Sequence, residues 1–148
     1  MRIETAIIQK LETLGALTAL VGSRISVDDI EQDDELPAVV VIVADETPQD
    51  GELDLDGQND LWQADVDIEV YARSRTEARA VEAAIRDNGT DPGTGLNGFS
   101  GSVSEGSFKA AHIGSEASME APQNEEGSPK YLQTSTYLCQ YNQTNHGY

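Results

Sequence analysis

The sequence predicts an α+β fold: two helices packed on one face of a mostly antiparallel or mixed four-stranded sheet, with a long acidic loop. Three observations predict it. Apolar residues recur at helical spacing near the start of the chain and again after Ser74. Residues 38–43 and 61–72 carry the β-branched or alternating pattern of strands. Between those strands lies a polar, glycine-punctuated stretch rich in Asp and Glu.

The elements follow in order. Residues 2–20 read as one helix, with Ile7, Leu11, Leu14, Leu17 and Val21 as its stripe. Gly15 lowers helicity without ending the pattern, and Gly22 is placed to cap it. Arg24-Ile25-Ser26-Val27 is a short extended piece. Residues 28–35 form an acidic linker that Pro37 ends. Residues 38–43 (AVVVIV) form a continuous apolar run, expected as a strand buried on both faces. Residues 44–60 read as a protruding loop. The next strand alternates: Trp62, Ala64, Val66, Ile68 and Val70 face the core. Gln63, Asp65, Asp67, Glu69 and Tyr71 face water or a polar channel. Ser74-Arg75-Thr76-Glu77 is a capping box opening the second helix, whose stripe is Ala78, Val81 and Ile85. Glu82 and Arg86 make an i,i+4 pair, and Asn88-Gly89 ends the helix.

Residues 89–106 hold six glycines and read as loop, with a short extended patch around Phe99. Residues 108–121 read as a strand centred on His112 and Ile113. The last strand spans residues 130–141. Tyr131, Tyr137, Cys139 and Tyr141 share one face of it, and Leu132, Thr134, Thr136, Leu138 and Gln140 share the other. The expected organisation is a single domain over residues 1–141 with a flexible tail at 142–148.

Charge narrows the function classes. The chain has 148 residues and a formal net charge of −18. Residues 28–69 contain 16 acids and no Lys or Arg, which is nearly the whole excess. Such a field disfavours naked nucleic acid as a tightly held ligand, because phosphate binding needs positive charge. Three lysines against 27 acids is also the look of a protein kept soluble in high salt, so a halophilic host is expected. The low apolar fraction, 38%, gives a thin core that oligomerisation would supplement. The first fifteen residues are too short and polar for a signal peptide or a span. Cys139 has no second cysteine to pair with.

The chemistry-bearing residues are few. His112 lacks an evident Ser or Cys partner, so no nucleophilic triad is expected, and a small hydrolase is the weakest reading. Asp54, Asp56 and Asp60 stand at alternating positions beside Gly57, as in calcium loops. Counting Asp54 as the first position, Asp65 replaces the Glu that such a loop needs at the twelfth. The expectation is therefore a solvated acidic loop with no metal, and no cofactor elsewhere. The glycine-rich stretch lacks phosphate-loop spacing. Arg73, Arg75, Arg79 and Arg86 form the basic cluster, expected to neutralise acids within the chain or on a neighbouring copy. Asp54, Asp56, Asp60, Asp65, Asp67 and Glu69 are the acids expected to face a channel or a partner.

The order of these motifs resembles a known family. A first helix ends in Leu20-Val21-Gly22-Ser23-Arg24-Ile25. After Pro37 and a buried strand, a long strand ends in Val70-Tyr71-Ala72. Ser74-Arg75-Thr76-Glu77-Ala78 then opens a helix, and Leu132-Gln133-Thr134-Ser135-Thr136-Tyr137 closes the domain. This resembles the tail-completion or tail-terminator proteins of long-tailed bacteriophages and archaeal tailed viruses. The resemblance implies a structural, non-enzymatic virion protein assembled in the host cytoplasm. It implies a ring, commonly a hexamer, that ends tail-tube growth and joins the tube to the neck while DNA passes through its lumen. Its implied partners are further copies of itself, the tail-tube protein and a neck or connector protein, with no membrane. The alternatives are another neck ring, such as a connector or stopper, and an acidic DNA mimic that occupies a host DNA-binding protein.

Overall fold

The computed structural model describes residues 1–28, 35–48, 61–89, 91, 93–120 and 130–142. Three helices lie on one face of a six-stranded mixed sheet that curls into a half-barrel. The elements are α1 (Ile3–Leu11), α2 (Gly15–Val21), β1 (Ile25–Val27), β2 (Ala38–Pro48), β3 (Leu61–Ala72), α3 (Arg75–Asp87), β4 (Ser100–Ser102), β5 (Ser107–Glu120) and β6 (Lys130–Asn142). The strand order is β1-β2-β3-β6-β5-β4. Only β1–β2 is parallel, and the other four pairings are antiparallel.

This corrects the expected four strands and two helices. The two extra strands, β1 and β4, are three residues each and sit at the sheet edges. Segments that short carry no periodicity to detect. The extra helix comes from a break in the expected 2–20 helix. Leu14 takes extended backbone, φ −84° and ψ 104°, and the Thr13 hydroxyl donates to the Lys10 carbonyl at 2.6 Å. The apolar stripe nonetheless continues through the break, with Ile7, Leu11, Leu14, Leu17 and Val21 all buried. Periodicity reports which residues face the core, and here two short helices present one stripe. A third correction concerns residues 44–48, which extend β2 instead of opening a loop. Residues 49–60 lie outside the described residues, as does the expected tail from 143 onward.

The core lies between the helices and one face of the sheet. Ile3, Ile7 and Leu17 from the helices meet Val39, Val41, Val66, Ile68, Val70 and Tyr137 from the strands. On β3 the expected alternation holds from Ala64 to Ala72, with every even-numbered residue buried. Ser74 caps α3 as its pattern predicted: its hydroxyl accepts from the Glu77 N–H at 3.1 Å. Glu77 reaches back one residue further than the usual box and accepts from the Arg73 N–H at 3.0 Å. Asn88 ends α3 in the left-handed conformation, and its side-chain oxygen accepts from the Ala16 N–H at the start of α2.

The loop after α3 is packed against the helix it follows. Leu96 is fully buried, and its N–H donates to the Ile85 carbonyl at 2.8 Å. Asn97 N–H donates to the Arg86 carbonyl at 3.2 Å. These bonds satisfy carbonyls that the end of a helix leaves free. Gly95 makes the approach possible, since a Cβ there would sit 2.2 Å from the Arg86 carbonyl oxygen.

Candidate functional site

The two faces of the sheet differ in kind. The helix-covered face holds the core. The opposite face of β3 presents Gln63, Asp65, Asp67, Glu69 and Tyr71, all half-buried, and among the described residues no helix covers them. Asp45 of β2 lies directly across from Asp65. Asp45, Asp65, Asp67 and Glu69 therefore make an acidic column along two adjacent strands. Directly opposed like charges cost stability in a sheet. One neutral contact moderates the column: the Thr136 hydroxyl donates to Asp67 at 2.8 Å. Leu132 and Leu138 of β6 are half-buried on the same face. Asp54, Asp56 and Asp60 lie outside the described residues. Among the described residues no group of three or more His, Cys, Asp or Glu is placed to hold a metal ion, and no helix is long and apolar enough to cross a membrane.

The four arginines do not form one patch. Arg73 donates to the Leu36 carbonyl and pairs with Glu77 at 3.5 Å. Arg75 lies over the Tyr131 ring, 5.7 Å from its centre. Arg79 is exposed on α3. Arg86 makes the expected pair with Glu82 at 3.3 Å and also reaches Asp87 at 3.6 Å.

Glu82 and Arg86 belong to a polar cluster that the sequence did not reveal. His112 Nε2 lies 2.8 Å from the Ser115 hydroxyl, which also donates to Glu82 at 3.1 Å. Ser135 is 3.3 Å from Ser115, and the Tyr137 ring meets His112 edge-on. His112 thus has the Ser partner it was expected to lack. The cause is a bulge in β5 between His112 and Gly114. In a regular strand, residues 112 and 115 would face opposite sides. The extra residue, Ile113, brings both onto the helix side and is itself 56% exposed. Gly114 beside the histidine was the one sequence sign of that bulge.

The cluster is wired against nucleophilic catalysis. A base must take the serine proton, but Ser115 gives its proton to Glu82 and so accepts from His112. Glu82 lies 3.9 Å from that same Nε2, so it does not orient the ring through Nδ1 as a triad acid does. Tyr137 is fully buried, and among the described residues its hydroxyl has no hydrogen-bond partner. Burial raises its pKa well above the ordinary phenol value. Burial likewise pushes the Cys139 thiol up to about 12, which makes it a packed apolar group and not a nucleophile.

No curated protein sequence matches the chain. A chain from a structure titled "Virion of native gene transfer agent (GTA) particle" shares its fold, with a TM-score of 0.61 and 18% sequence identity. The match covers 95% of this chain and 94% of that one. The family model described as "Tail completion protein gp17" matches residues 5–90, from α1 through α3. The chain belongs to the tail completion protein gp17 family and is a component of the virion tail and neck.

Proposed function

We propose that this chain is a tail terminator. In this reading its copies form a ring, a hexamer, at the head-proximal end of the tail tube. The ring ends tube growth, meets the neck, and lets DNA pass through its lumen. The role is structural and needs no chemistry.

The observation that carries this reading is the acidic column of Asp45, Asp65, Asp67 and Glu69 on an uncovered sheet face. A monomer gains nothing from holding Asp45 against Asp65. A channel wall gains a surface on which phosphates slide, because contacts that bind phosphate would also hold it. Asp54, Asp56 and Asp60 are proposed to add to the same field. Arg75 and Arg79 are proposed to meet acids of a neighbouring copy.

Native mass in high salt tests the reading, with the chain alone and with the tail-tube protein of the same genome. A closed ring that caps tubes is the expected result. A monomer that ignores tubes would overturn it and make the acidic segment a candidate DNA mimic. Reversing Arg75 and Arg79 to Glu is expected to shift ring to monomer with far-UV circular dichroism unchanged. An unchanged oligomer mass would remove these arginines from the interface.

A further inference from the structure

Beyond the short edge strands β1 and β4, two stretches of the longer strands are unpaired on one side among the described residues, one on β2 and one on β5, at opposite sides of the sheet. On one side, β1 pairs only with residues 39–41 of β2, and the Asp28 N–H adds a bond to Val41. Among the described residues, nothing pairs with the outer edge of β2 at 43–47, where residues 44–47 are exposed. On the other side, β4 covers residues 107–109 of β5. Phe99, Gly98 and Asn97 carry the pairing on to Ala110 and His112. Among the described residues the outer edge of β5 is then free at 113–120, and Ser115, Glu116, Ala117 and Ser118 are exposed.

A long free edge invites pairing, and proteins that stay monomeric guard such edges with lysine, proline or inward charge. The β5 edge has none of these between 113 and 118. Its side chains are small, apart from Glu116 and the exposed Ile113 at the bulge. The β2 edge is acidic, with Asp45 and Glu46 exposed. Near the β5 edge the charge is mixed: Glu116 is exposed on it, Glu82 of α3 meets Ser115, and one arginine comes close through β6. Arg75 lies over Tyr131, whose cross-strand neighbour on β5 is Met119, and Arg79 is one helical turn further along α3.

We propose that residues 113–120 of β5 are the subunit-joining strand and pair with residues 43–47 of β2 in a second copy. The inference rests on the ring reading and gives it an interface. The strand directions suit it. Steps from β2 to β3, β3 to β6 and β6 to β5 are all antiparallel, so β5 runs opposite to β2. Two copies in the same orientation therefore bring β5 of one antiparallel to β2 of the next. Because the two edges are different surfaces on opposite sides, the contact is head-to-tail, which is what a closed ring requires. The free stretches sit at opposite ends of the strands, so each copy is staggered relative to its neighbour, as strands closing round an axis must be.

Cysteine pairing tests the proposal. One preparation carries Ser118→Cys, the other Thr47→Cys, on the same face of the sheet, and the two are mixed, assembled in high salt and mildly oxidised. The buried Cys139 leaves the background silent. Expected is a disulfide between unlike chains in the ring fraction, since bridging needs Cα atoms within about 7 Å. A ring by native mass with no mixed link would overturn the edge assignment and leave the ring standing. So would Ser118→Cys chains linking to themselves without the Thr47→Cys partner. A monomer under every condition would overturn the ring reading and this interface together.

Discussion

Single residues in this chain take their character from one neighbour. Asp67 has a hydroxyl donor in Thr136, whereas Asp65 faces the like charge of Asp45. Tyr141 donates to Glu46, whereas Tyr137, four residues earlier on the same face, leaves its hydroxyl without a partner among the described residues. An unsatisfied buried hydroxyl carries a desolvation cost with no return. Tyr137→Phe is therefore expected to leave stability unchanged or to raise it by about 1 kcal/mol, read by chemical denaturation. A loss of more than that would mean the hydroxyl has a bond after all. Residue types alone put Tyr137 on one face of its strand with Cys139 and Tyr141, and the structure makes that face core. They could not reveal that its hydroxyl goes unpaired, because the Glu82 cluster is set by packing between α3, β5 and β6.

At the scale of elements, strong periodicity was legible and punctuation was not. β3, β6 and α3 stand where their patterns placed them, because each runs twelve residues or more and buries one clean face. The joint at Leu14 was hidden by a stripe that passes through it unchanged. The β5 bulge was hidden because an extra residue leaves composition untouched while it reverses facing. Deleting Ile113 tests the second point. With the extra residue gone, His112 and Gly114 become neighbours in a regular strand, and residues 114–120 keep their faces and their pairing with β6. The expected outcome is a change within about 1 kcal/mol, with Ser115 still beside His112 and Glu82. A much larger loss would mean that the bend at the bulge itself holds the cluster together.

For the whole molecule, charge decides the conditions under which it is stable. The net charge of −18 acts against any compact form in dilute buffer, and against assembly more strongly still. The screening length is about 10 Å at 0.1 M salt and about 3 Å at 1 M. Raising potassium chloride from 0.1 M to 2 M is expected to raise Tm, by about 2–4 °C for each kcal/mol of repulsion removed. A flat Tm would show that the excess charge is well solvated and leave the composition without a salt-dependent role. The acidic segment was plain in the sequence as a linear run. That part of it forms one column across β2 and β3 depends on strand register, which twelve residues between the two strands do not disclose.

The strand order also governs the sequence of events in synthesis. The centre of the sheet is the β3–β6 pairing, which joins residues 61–72 to residues 130–142. Until β6 has left the ribosome, β3 has a paired neighbour on one side only. Val66, Ile68 and Val70 can be covered by the helices, but the inner edge of β3 stays open, and closing it spans a long loop. The nascent chain therefore holds its most adhesive edge exposed from the completion of β3 until β6 emerges, and joins the two halves of its sheet only then. An open edge carrying Asp65, Asp67 and Glu69 repels its own kind during that interval, so the acids that suit a channel in the finished particle also keep the unfinished chains apart.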